Sequence, residues 1–151
     1  MSWFLEGIEK RAAADLKRIV LPEGDDPRTL AAALKIRDRK IAQPVVLANM
    51  ETDTAGATGA AYARGDVDFT GIELIDPRTS PSRQTYAERL YELRREKGLT
   101  EDAAFELAGD VLHYGVLMVK DGEADGMVAG AAHATSDVLR PALQIIKTAP
   151  G

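Results

Sequence analysis

Residues 125–148 read Asp-Gly-Met-Val-Ala-Gly-Ala-Ala-His-Ala-Thr-Ser-Asp-Val-Leu-Arg-Pro-Ala-Leu-Gln-Ile-Ile-Lys-Thr. Met127, Val128 and Ala129 form the apolar centre of a strand predicted over residues 125–130. A run of small residues follows from Gly130 to Thr135. Leu139, Leu143 and Ile146 then return at helical spacing, in a helix that starts near Ser136. Strand, small-residue turn and helix is the unit from which open α/β sheets are assembled.

The same alternation runs backward along the chain. Residues 18–21 predict a short strand stopped by Pro22, and residues 44–48 a continuous apolar strand of the kind buried on both faces. Residues 72–75 predict a third strand, closed by Asp76 and Pro77. Phe4, Ile8 and Ala12 recur in steps of four, so an amphipathic helix opens the chain. Asp26 and Pro27 suit a helix start, with Asp as cap and Pro at the first helical position; this helix runs to about Lys40. Another covers residues 81–97 and stops at Gly98. The next opens at Thr100 and carries Ala104, Leu107, Ala108, Val111, Leu112, Gly115 and Met118 along one face. Residues 51–71 show no strong period and read as a loop with at most a weak helix. Strands alternating with helices predict an α/β three-layer sandwich with a largely parallel sheet.

The chain has 151 residues, 45% of them hydrophobic and 28% charged, which fits one soluble globular domain. A net charge of -5 argues against a broad nucleic-acid footprint. It leaves room for a phosphorylated small molecule, because a few arginines can reverse the field inside one cleft. There is no cysteine, so disulfides and thiolate chemistry are excluded within these residues. The opening residues carry Glu6 and Glu9 and show no signal-peptide pattern, and residues 127–136 are too short to span a bilayer. A cytoplasmic protein without nucleic-acid or membrane partners is the expectation.

In such sheets ligands collect where strands end and helices begin. Two turns qualify. Arg28 stands in the first turn of its helix, where a cation opposes the helix dipole. It is either a phosphate grip or a surface arginine paired with Asp25 or Asp26. The second turn spans residues 130–140. Its small residues admit a ligand to the backbone, free N–H groups can hold phosphate oxygens, and Thr135 and Ser136 add hydroxyl donors. Arg140 lies one helical turn after Ser136, with the planar fork that suits a phosphate. An ordinary capped turn is the other reading of this segment. His133 is open to two readings as well, a general base or orienting donor, or a ring filling a hydrogen-bond site in the loop. His113 is assigned no role, residues 94–97 read as a solvated helix end, and no acidic cluster has metal-ligand spacing.

These segments resemble, in order and in register, the N-terminal half of the phosphate acetyltransferase (phosphotransacetylase) family. The resemblance rests on Leu21-Pro22-Glu23 with Asp26, Arg28, Thr29 and Leu30, on Tyr91-Glu92-Leu93-Arg94 with Lys97-Gly98-Leu99-Thr100, and most of all on residues 125–148. It implies a fold like that of isocitrate and isopropylmalate dehydrogenases, with two α/β domains, a cleft between them and a homodimeric whole protein. It further implies reversible acetyl transfer between acetyl phosphate and coenzyme A, the latter a co-substrate, with no metal in the chemistry. An aspartate deprotonates the thiol, the thiolate attacks the acetyl carbonyl, and phosphate leaves.

Carried over by motif, Arg140 meets the phosphate and the transition-state charge, Thr135, Ser136 and neighbouring amides, with His133 in the same loop, seat the acyl phosphate, and Arg28 and Arg94 hold phosphates of coenzyme A. The related phosphate butyryltransferases are less similar in the last motif. The resemblance covers about half of a family member, without the segment carrying the base aspartate. The chain is therefore expected to be an incomplete N-terminal portion, inactive by itself and with a sheet edge left uncovered. A non-catalytic module binding coenzyme A or phosphate is the alternative.

Overall fold

The structure is a computed structural model and describes residues 2–151. Four strands, β1 (Arg18–Leu21), β2 (Gln43–Leu47), β3 (Glu73–Ile75) and β4 (Gly126–Met127), pair in parallel in the order β3-β2-β1-β4. Val20 is opposite Val45 on one side and Met127 on the other, so the register runs level across the centre.

The apolar runs divide between the two faces with the two-residue period of a strand. Val20, Val45 and Leu47 point to one side, into a core with Tyr86, Leu90, Tyr114 and Leu117. Leu21, Val46 and Ala48 point to the other, against Ala33 and Ile72. A sheet covered on both faces needs continuous rather than alternating hydrophobicity, which is what residues 44–48 carry. Each fully buried Val or Leu contributes about 1.5–3 kcal/mol.

Helices α2 (Pro27–Asp38) and α3 (Ala57–Arg64) pack together on the Leu21 side. Helices α4 (Arg83–Arg94), α5 (Glu101–Ala108) and α6 (Val111–Lys120) cover the Val20 side, with α7 (Thr135–Pro141) and the π-helical turn Ala142–Ile146 that continues it. The expected three-layer α/β architecture with a parallel sheet is therefore present. α6 rests closely on β1 and β4 because Gly115 has no side chain; a Cβ there would stand 2.7 Å from Met127 Sδ.

Three segments differ from the sequence expectation. The helix expected from Thr100 through Met118 breaks at Gly109–Asp110. A Cβ on Gly109 would meet the Arg83 guanidinium at 2.8 Å, and Arg83 donates to the Phe105 carbonyl near the end of α5. Asp110 then caps α6 by accepting from the His113 amide and ring. The loop expected over residues 51–71 contains α3, which begins after Gly56 and ends at Gly65 with φ 70°. β4 is shorter than residues 125–130, because the chain turns away after the Val128 amide donates to Val20.

The opening helix α1 (Trp3–Ala14) forms as its spacing predicts, yet none of its residues is buried. An Arg39–Glu9 ion pair of 2.6 Å ties it to the end of α2. Trp3, Phe4, Leu5 and Ile8 face solvent.

Candidate anion site at the β1/β4 junction

From β1 the chain builds outward to β2 and β3, and only then returns to place β4 on the opposite flank of β1. The helices that follow β1 and β4 therefore lie on opposite faces, and the crevice between the two loops is the topological switch point where open α/β sheets take ligands. A hollow of about 180 Å³ lies there, lined by Leu21, Glu23, Arg28, Thr29, Val128 and Ala131 among others.

Its centre is Glu23, which follows β1 and Pro22 directly and is only 5% exposed. One carboxylate oxygen accepts from the amides of Gly130 and Ala131 at 3.0 and 2.8 Å. The other accepts from the amides of Ala132 and His133 at 2.9 and 3.0 Å, and faces His133 Nδ1 at 2.9 Å. Gly130 makes this convergence possible with φ 117°, a backbone state that L side chains adopt only under strain. Burial alone would push the Glu23 carboxyl up. The bonds from the Ala132 amide, the His133 ring and the Ala131 and Gly130 amides outweigh it and draw the value down to about 2.

The structure brings some of the expected site residues together. Arg28 makes two bonds to Asp26, at 3.0 and 2.7 Å, and a third to the Ala131 carbonyl, so it joins the loop after β1 to the loop after β4. Asp26 caps α2 through the Arg28 amide, and its bonds with the Arg28 side chain lower its carboxyl to about 2. His133 is half-buried, with its ring on Glu23. Both the pairing of Arg28 with an aspartate and the hydrogen-bonding use of His133, each an alternative in the sequence, are realised.

The four amides of residues 130–133, counted in the sequence as donors for a phosphate, already hold a carboxylate. What remains open is the start of α7. Its cap residue is Ala134, no side chain closes it, and Thr135 and Ser136 stand exposed there. Arg140 is exposed in the same helix and makes no hydrogen bond or ion pair among the described residues. Arg94 ends α4, and no hydrogen bond or ion pair among the described residues links it to this junction.

Glu23 is the residue at the centre of this junction to which the sequence alone assigns no role. The available signal was an acidic side chain placed at once after a buried strand, in a position that only paired carboxylates tolerate. Among the described residues no group of three or more His, Asp or Glu is placed to hold a metal ion, and no helix is long and apolar enough to cross a membrane.

Comparison with known proteins decides the kinship. The family model described as phosphate acetyl/butaryl transferase matches residues 3–151. The chain belongs to the phosphate acetyl/butaryl transferase family. Phosphate acetyltransferase from Acetivibrio thermocellus is 49% identical over 148 residues, covering 98% of this chain and 42% of that protein. Among solved members of the family, the EutD phosphotransacetylase from Staphylococcus aureus superposes with a TM-score of 0.82 at 39% identity, over 97% of this chain and 43% of that one. A phosphotransacetylase from Streptococcus pyogenes superposes with a TM-score of 0.84 at 35% identity, over all of this chain and 45% of that one. The chain thus spans less than half the length of each of these relatives.

Proposed function

We propose that this chain is the N-terminal α/β domain of a two-domain phosphate acetyltransferase, which moves acetyl reversibly between acetyl phosphate and coenzyme A. The relatives named above are acetyltransferases, which favours acetyl over butyryl. The observation that carries the site is the contrast among its arginines: Arg28 is engaged by Asp26, whereas Arg140 stands exposed one turn past Thr135 and Ser136 without a carboxylate partner. A guanidinium in that state keeps its full donor fork for a phosphoryl group.

In this reading Arg140 neutralises the phosphate of acetyl phosphate and the charge that grows as the tetrahedral centre forms. Thr135 and Ser136 donate to the same oxygens. Arg28, already anchored at the β1/β4 crevice, and Arg94 take phosphates of coenzyme A. The second domain supplies the aspartate that removes the thiol proton. The thiolate sulfur then bonds to the acetyl carbon, the carbon–oxygen bond to phosphate breaks, and inorganic phosphate departs with that electron pair. The working protein is a cytoplasmic homodimer.

The test is acetyl-CoA formation from acetyl phosphate, followed as thioester absorbance. The two-domain protein carrying this chain turns over, and butyryl phosphate replaces acetyl phosphate poorly. Arg140→Ala lowers its turnover by roughly 10²–10³-fold, the scale for one lost charge-stabilising donor. Unchanged kinetics would remove Arg140 from the mechanism. The 151-residue chain alone gives no turnover; appreciable thioester from it would overturn the assignment of the base to the second domain.

A further inference from the structure

We propose that Glu23 is a positioning residue that fixes the tautomer of His133 and the path of residues 130–133, and so decides which groups of this loop a phosphorylated ligand can reach. Its bearing on acyl transfer rests on the functional reading above; its geometry does not.

A carboxylate can only accept hydrogen bonds. Glu23 is buried, and every partner it has at the junction is an N–H group or the His133 ring. The ring nitrogen that faces it therefore carries a proton. In the neutral ring this places the hydrogen on Nδ1 and the lone pair on Nε2, which makes no hydrogen bond among the described residues, with Asp110 the other carboxylate acting on the ring. The hydrogen bond at one ring nitrogen sets what the other offers, as it does for histidines that bind metals.

The same carboxylate acts on the backbone. Four successive amides turned toward one point make a concavity that takes anions. Here the anion is part of the chain and approaches from the sheet side, so the loop is held in its curved form before any ligand arrives. A substrate phosphate is left with the side chains beyond it, Thr135, Ser136 and Arg140, and with His133 Nε2. Glu23 thus excludes the ligand from the peptide amides and directs it to side-chain donors. Its sequence distance of 107 to 110 residues from its partners also makes it a clamp between the first and last strands.

His113 supplies a reference ring with a carboxylate other than Glu23. It is the other histidine of the chain, and its Nδ1 faces Asp110 at 2.7 Å; Asp110 also interacts electrostatically with His133, but makes no bond to Glu23. Two-bond ¹H–¹⁵N spectra of the imidazoles, recorded on the 151-residue chain with neutral rings, should show the Nδ1–H tautomer for both. In Glu23→Ala, His133 should move toward the Nε2–H form that free histidine favours, while His113 stays as it is. Amide exchange at residues 130–133 should accelerate by about 10-fold or more, the change expected when a hydrogen bond is lost.

If Glu23→Ala does not fold, Glu23→Gln retains one oxygen and presents an NH₂ to the other two amides, so two of the four exchange faster. An Nε2–H tautomer for His133 in the unaltered chain overturns the proposal, as does unchanged amide exchange in a folded Glu23 variant. Neither result touches acetyl transfer. Conversely, a two-domain protein without acetyltransferase activity sinks the functional reading and leaves these spectra standing.

Discussion

The carboxyl edge of the sheet is tied together at two places by a buried carboxylate, and the two are answered differently. At the β1/β4 junction Glu23 is met by four peptide amides and an imidazole. At the β2/β3 junction Asp76, 8% exposed, accepts from the Met50 and Arg78 amides and pairs with the Arg78 guanidinium at 3.2 Å. Arg78 is itself partly exposed and also contacts Glu51 and Asn49. Asp76 is therefore neutralised by a partly exposed cation that can reach water. Glu23 is hydrogen-bonded by peptide amides and an imidazole, with the Arg28 cation acting on it only through space, and those amides converge only while one loop keeps one shape. Burial raises and hydrogen bonding lowers the pKa of each; for both the bonds prevail. A carboxylate held by a cation secures a junction; one held by a loop backbone also secures the loop.

That difference can be broken by substitution. Glu23→Ala should cost about 4 kcal/mol in chemical denaturation, because it removes the acceptor shared by the amides of residues 130–133, at about 1 kcal/mol for each lost bond. A loss no greater than that of an exposed residue would end the comparison.

Acid should tell the two junctions apart next. The folded Glu23 value, about 2, lies below its ordinary value of 4.5. The unfolded chain therefore binds more protons in this window. The stabilisation is complete above about pH 4.5 and is lost as pH falls through about 2; at ~1.4 kcal/mol per unit it amounts to about 3 kcal/mol. In Glu23→Gln the stability curve should flatten between those limits, as read from urea midpoints at several pH values.

Asp76→Asn should cost less, about 2 kcal/mol, since the amide keeps an acceptor for one of the two peptide donors and Arg78 turns to solvent. Gly130→Ala sharpens the loop side of the comparison. A Cβ there meets nothing within 4 Å, so only backbone strain is added, about 1–2 kcal/mol. Arg28→Ala should leave the melting temperature within scatter, because its pair with Asp26 is exposed on the arginine side. Any effect of Arg28 should appear in coenzyme A affinity instead.

Much of the layered fold was legible. The apolar runs at residues 18–21 and 44–48 carry enough burial to dictate strands, and Asp26-Pro27 and Thr100 mark helix starts that the structure caps as expected. Where local pattern and structure differ, a distant contact prevails. Leu107, Val111 and Met118 keep helical spacing across Gly109, and only the Arg83 guanidinium seated against that glycine shows why the helix must stop. α3 is mostly Ala, Thr and Gly, with Tyr62 and Arg64, and gives no periodic signal, so its buried Thr58 and Ala61 do not show as a core face. The site follows the same rule. Arg28, His133 and Arg140 could be chosen by residue type, whereas the role of Glu23 depends on partners more than a hundred residues away. No local pattern encodes that meeting.

One further property follows from α1. Trp3 is the sole tryptophan of the chain and is 84% exposed, on a helix with no residue in either core. Its emission will already be that of a wet indole in the native protein, so melting of the sheet will pass almost unseen in tryptophan fluorescence and has to be followed by circular dichroism. The same isolation turns Trp3 into a built-in optical probe, because whatever covers α1 will announce itself as a blue shift against a quiet background.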